Sequence, residues 1–224
     1  MKAITKNSQA GFTLVEIAIV LVIIGLLLGG ILKGQEMITQ AKIKNVINDF
    51  NGVTAAVNSY QDRYRALPGD DATADTRWTT QSAVKGNGDG TIAGTYNNVI
   101  SGVPTTAQES NLFWWHLRLG GFVPGSVLPG IAAGLQPPNA TNGIIGVQAV
   151  TGANLGFSSN IVCSSNLPDK IAIAVDTQMD DGTPAAGELR GALQTGPNPV
   201  VPASSGVSTY AETGQNQYLL CKNL

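Results

Sequence analysis

Apolar and polar positions divide the chain into three regimes. From Phe12 to Leu32 only Thr13 and Glu16 are clearly polar. As a helix this run would be about 32 Å long, close to the hydrocarbon thickness of a bilayer. From Val46 the pattern changes. Apolar residues fall at Val46, Phe50, Val53, Val57, Tyr60 and Tyr64, in alternating steps of four and three. That is one helical stripe, with Lys44, Asn48, Asp49, Asn51, Asn58 and Asp62 on the other faces. The stripe predicts a surface on which a sheet packs, and Pro68 with Gly69 ends it. Together the two patterns predict one helix from about Thr13 to about Arg65, roughly 80 Å long.

The third regime lacks a single period. Residues 66–143 are rich in Gly, Asn, Asp, Thr and Pro. Within them Glu109 to Phe122, ESNLFWWHLRLGGF, predicts a short helix. Trp114 and Trp115 are expected in its core face, and His116 on the surface or half-buried. Val123 to Asn142 predicts a loop. Ile144 to Cys163, Glu188 to Leu193 and Tyr218 to Lys222 predict strands of an antiparallel sheet. Pro168 to Asp176 predicts a short helix, with Pro168 in its first position and Asn166 as cap. The class is α+β: a long N-terminal helix on a C-terminal antiparallel sheet. The expected divisions are a leader at 1–11, a membrane half at 12–32, an amphipathic half at 33–65, a loop-rich region at 66–143 and a sheet region at 144–224.

Composition sharpens this in three ways. Charged residues make up 12% of the 224 residues, about half the usual share, and there are 27 glycines. Net charge is −2, and loss of Lys2 and Lys6 with the leader would take it to about −4. No cluster of Lys and Arg marks a nucleic-acid surface. The two cysteines, Cys163 and Cys221, lack a CxxC spacing, so metal or thioredoxin-type chemistry has no support. In an extracytoplasmic head they are expected to pair. Closing a loop of roughly 59 residues would stabilise the fold by about 4 kcal/mol in the chain-entropy model. Two buried free thiols are the other reading.

The first apolar run is too long for a signal-peptide core, and no small-residue cleavage site follows it. Lys2 and Lys6 precede it with no acid, which favours a cytoplasmic N-terminus and a head on the far side. Lys33, Lys42 and Lys44, beyond the span, weaken that bias. Glu16 is the anomaly. An acid inside lipid costs several kcal/mol unless paired, which makes it a functional-site hypothesis. Its partner is expected from another chain or from a new charge. Cleavage after Gly11 would make one: the α-amino group of Phe12, four residues from Glu16.

The stretch GFTLVEIAIVLVIIGLLL resembles the class III signal of type IV pilins and of the related pseudopilins of type II secretion. The matching parts are Lys2 and Lys6 in the leader, Gly11, Phe12, Glu16, and the apolar run from Ile17 to Leu32. The resemblance implies that a prepilin peptidase cuts between Gly11 and Phe12 and methylates the new amine. It implies that Glu16 pairs with the Phe12 amine of a neighbouring subunit as a helical homo-oligomeric filament grows from an inner-membrane assembly platform. The precursor would wait in the inner membrane with a periplasmic head, and end in an extracellular pilus or a periplasmic pseudopilus. Such a buried pair rewards one axial stagger. Many type IVa pilins carry a proline in mid-segment, whereas none occurs here before Pro68. Gly25, Gly29, Gly30 and Gly34 are the expected points of yielding, each weakening helix by about 1 kcal/mol relative to Ala. Their spacing also suits close helix packing. Cys163 with Cys221 resembles the disulfide-bounded C-terminal region of many pilins.

Two acidic clusters remain. Gly86-Asn-Gly-Asp-Gly-Thr-Ile92 is similar to the middle of an EF-hand loop, but Lys85 and Tyr96 stand where its end carboxylates belong. A calcium site assembled from Asp70, Asp71, Asn87 and Asp89 is one reading, and plain turn chemistry the other. Asp180 and Asp181 form a weaker candidate in an expected turn. No nucleophile–base set supports a membrane-tethered enzyme. The expectation is a structural subunit, without a cofactor unless calcium binds.

Overall fold

One helix, α1 (Leu14–Tyr64), carries both apolar patterns. The computed structural model describes residues 11–150 and 154–224. Of the expected leader only Gly11 lies among them; Lys2 and Lys6 lie outside. The chain forms two units, divided between Ala41 and Lys42.

In the first unit, the apolar side chains from Phe12 to Leu32 are exposed. The apolar window of α1 is long enough to cross a membrane, and none of it is buried. At Gly25, Gly29, Gly30 and Gly34 the helix is continuous, and an added Cβ would meet nothing within 4 Å. Contacts within the chain therefore give no reason for glycine at these four positions.

In the second unit, the stripe of α1 is buried. Ile43, Val46, Phe50, Val53, Val57 and Tyr60 pack in one core with sheet residues such as Val162 and Leu220. Tyr64 packs at its margin. The intervening region is less irregular than its composition predicts. It holds α2 (Ala74–Arg77), short 3-10 turns at Thr79–Gln81 and Thr106–Gln108, α3 (Glu109–Leu119) and α4 (Ile131–Gly134). The expected loop over 123–142 thus contains a helical turn. Tertiary partners on α3 hold it: Asn111 Nδ2 donates to Gly134 O, and the Arg118 guanidinium donates to the carbonyls of Ala132, Ala133 and Leu135. Such support has no local sequence signature.

The sheet consists of β1 (Ile145–Gln148), β2 (Ile161–Pro168), β3 (Leu189–Leu193) and β4 (Gln217–Asn223), all antiparallel in the order β1-β2-β4-β3. The run expected as one strand over 144–163 is split into β1 and the start of β2, with a 3-10 turn at Asn154–Gly156 between them. Neighbouring residues face opposite sides of a strand. Val162, Tyr218 and Leu220 join the core with α1, while Ile161, Cys163, Leu219 and Cys221 form a second cluster with Tyr96 and Phe157. The sheet is covered on both faces, so alternation in its sequence is weak.

Helix α5 (Asp169–Met179) forms where a helix is expected. Its start differs. Pro168 is the flanking residue and still pairs with Gln217 of β4, and Asn166 does not cap. Asn166 instead takes φ 57° where the β2–β4 register shifts between Ser164 and Leu167. It is the left-handed residue of a β-bulge, a conformation asparagine tolerates.

Candidate functional site

The N-terminal end of α1 brings Glu16 back onto Thr13. Glu16 Oε2 accepts hydrogen bonds from the Thr13 backbone N–H and hydroxyl, each at 2.8 Å. Thr13 Oγ1 accepts the Glu16 N–H at 3.3 Å. This reciprocal arrangement is a capping box, satisfying donors that the first helical turn leaves free. Sequence reasoning misses Thr13 as a functional residue, although the T-x-x-E spacing in TLVE carries the signal. Phe12 precedes the helix and is 84% exposed, and Gly11 lies before it, outside any regular element. The residues expected for cleavage, methylation and assembly, Gly11, Phe12 and Glu16, thus lie exposed within six positions at one helix start.

The acids of the head separate into two groups. Asp70 Oδ1 accepts the N–H groups of Gly88 and Asp89, and its Oδ2 accepts that of Gly90. Glu109, at the start of α3, accepts the N–H groups of Asn87 and Ala93, each at 2.9 Å. The 86–92 loop is wound around these two buried carboxylates. Gly86 permits the close approach: a Cβ there would sit 2.4 Å from the Asp70 backbone. Asp70, Asp89 and Glu109 have carboxylate oxygens within 4.8 Å of one another. Burial, reinforced by the neighbouring Asp70 and Asp89 charges, raises the Glu109 pKa despite its hydrogen bonds. Asp89 is held low by the Thr91 hydroxyl and N–H and by Asn87.

Asp71 lies outside that group. It accepts a 2.7 Å hydrogen bond from the Tyr60 hydroxyl, pairs with the Arg77 guanidinium and caps Thr73. Burial alone would raise its pKa, but these hydrogen bonds bring it below the usual carboxylate range. Asn87 bonds Asp89 through both ends of its amide. Of the four expected calcium ligands, then, Asp70 and Asp89 come together, and Glu109 joins them. In sequence Glu109 marks only the start of a helix, and the loop that it holds is too distant along the chain to give a local signal. Asp180 and Asp181 group with the buried Asp176. Each accepts a separate bond: Leu189 N–H to Asp180, Thr183 N–H to Asp181, and Gly182 N–H and the Tyr210 hydroxyl to Asp176.

His116 is fully buried, rather than at the surface or half-buried as expected. Its Nδ1 accepts the Gly69 N–H at 3.0 Å, so Nε2 carries the proton and donates to Val84 O at 2.8 Å. The ring stacks on Tyr60. It joins the chain after α1 to the chain before the 86–92 loop. Cys163 and Cys221 are bonded and directly opposed on β2 and β4.

Comparison with known families gives one match, the prokaryotic N-terminal methylation motif, over residues 6–32. No curated protein and no solved structure matches the chain. The matched stretch contains Gly11, Phe12, Thr13 and Glu16 and runs to the end of the apolar span. With the long N-terminal helix and the four-stranded antiparallel sheet, an arrangement consistent with the type IV pilin fold, it shows that this chain carries the class III signal of type IV pilins and pseudopilins.

Proposed function

We propose that the protein is a structural subunit of a type IV pilus, stored in the inner membrane and assembled after cleavage between Gly11 and Phe12. The observation that carries this reading is the methylation motif, continuous with an apolar helix that the chain leaves unburied. Lipid covers that surface before assembly, and like helices cover it afterwards. The prepilin peptidase methylates Phe12, and the Phe12 amine of one subunit then meets Glu16 of its neighbour. Two opposite charges on different chains, away from water, penalise every stagger but one. The four glycines of the span fit the same reading, because nothing in the isolated chain needs them there. Between copies they permit close helix contact and local yielding.

The test is imaging of filaments sheared from cells, with mass spectrometry of their main protein. This chain as the bulk component, beginning at methylated Phe12, is the expected result. Filaments present but built from another chain would reassign it as a minor pilin, although Glu16 argues against the tip position, where no neighbour above remains to pair. A processed chain confined to the periplasm would make it a pseudopilin of a secretion machine.

A further inference from the structure

The second unit contains a cavity of about 500 Å³ between α1, the α3–α4 segment and β1. Its wall is apolar and partly aromatic, with Trp114 and Phe122 beside Val53 and Ile145. It contains one carboxylate, Asp49, which projects from α1 and is half-buried. No ion pair or hydrogen bond joins Asp49 to another side chain among the described residues. A second, more polar depression shares Asp49, Asn48 and Pro138, so Asp49 stands where the two meet. Trp114 is buried in this wall, and its ring supplies apolar and π surface to the cavity.

We infer that this cavity binds a small organic ammonium ion with an aromatic or aliphatic body, the ammonium on Asp49 and the body against Trp114 and Phe122. Size and lining fit a small-molecule site: apolar walls with few polar groups. Charge sign decides the class. A partly desolvated carboxylate without a partner attracts a cation more strongly than one in water. Burial already pushes the Asp49 carboxyl up to about 6, a penalty that a bound cation would offset. Arg118 also borders the cavity, but it offers an anion little. Its guanidinium is directed at the carbonyls of Pro124, Ala132, Ala133 and Leu135, whose negative ends screen its charge.

The test uses the full chain in lipid nanodiscs, with phenethylamine as probe and 2-phenylethanol as its neutral analogue. Empty nanodiscs supply the partition background. The readout is the indole N–H resonances in a tryptophan-labelled sample, assigned with Trp114→Phe and Trp78→Phe. The expected result is saturable binding of phenethylamine that shifts Trp114 and leaves in place Trp78, which packs against Tyr64 and does not line the cavity. Asp49→Asn should weaken phenethylamine at least tenfold and leave 2-phenylethanol unchanged. Absence of saturable binding, an affinity unaltered by Asp49→Asn, or an equal loss for both probes would each overturn the inference.

Discussion

Glu16 and Thr13 cap each other, the carboxylate accepting two hydrogen bonds at 2.8 Å and the hydroxyl returning one at 3.3 Å. Glu16 thus has two separable properties: it closes the first turn of α1, and it carries a charge. Glutamine in its place can still complete a capping box, whereas alanine cannot. If the charge sets the stagger between subunits, Glu16→Gln and Glu16→Ala should both be cleaved and both assemble poorly. Thr13→Val, which loses a cap worth about 1 kcal/mol but keeps the charge, should assemble nearly as well as the native chain. Filament yield from sheared cells, normalised to processed subunit, is the measurement. Native yield from Glu16→Gln would transfer the role from charge to cap.

Five backbone N–H groups of the 86–93 segment point at the oxygens of Asp70 and Glu109. These amides already stabilise the carboxylates, so the loop is expected to hold without a cation. Chelator should leave the melting temperature of the full chain in nanodiscs unchanged. Asp70→Ala should destabilise it by about 2–4 kcal/mol, because three amides lose their acceptor. A melting temperature that falls on chelation and recovers with calcium would instead make Asp70, Asp89 and Glu109 ligands.

Much of this arrangement is legible from sequence, for reasons that differ by element. The buried half of α1 announces itself because one face of a helix meets a core and the other meets water, which writes a period into Val46, Phe50, Val53, Val57 and Tyr60. Strands β2 and β4 write a weaker one, since Cys163 and Leu219 are buried on one face and Val162 and Leu220 on the other. Helix α4 and the burial of His116 leave no local trace. Their partners are the Arg118 guanidinium for the one, and the Gly69 and Val84 backbone for the other. At the site, Gly11, Phe12 and Glu16 form a contiguous motif and are readable. Glu109 is not, because the loop it holds lies 16 to 22 residues away in sequence.

His116 gives the head a defined response to acid. Burial holds its pKa down to about 4, against 6.5 for a free imidazole, although the Val84 carbonyl and Asp71 oppose this. Between those values the unfolded chain binds the proton that the folded chain refuses, so stability rises with pH. The contribution is complete above about pH 6.5. It is lost as pH falls, at up to about 1.4 kcal/mol per unit, and levels off below pH 4. Urea unfolding of the full chain in detergent at pH 7 and pH 4.5, compared with His116→Gln, isolates this residue from the carboxylates that titrate alongside it. The native chain should lose more stability than the variant over that interval. Equal losses would place the acid response elsewhere.

The disulfide joins residues 58 apart and directly opposed on β2 and β4, the two interior strands of the sheet. Its sulfurs lie in the cluster on the sheet face away from α1, with Tyr96 and Leu219. The strands pair independently through backbone hydrogen bonds, so the bridge acts mainly on the unfolded chain, whose freedom it restricts. Cys163→Ala with Cys221→Ala should therefore keep the sheet but lower stability by about 4 kcal/mol. Serine is the less suitable replacement, since its hydroxyls would be buried without assured partners. Thermal unfolding with and without reductant checks the assignment. Reductant should lower the midpoint of the native chain toward that of the double alanine variant, and leave the variant's own midpoint unmoved. A native midpoint that stays put while free thiols appear would show that strand pairing and packing alone hold this part of the head.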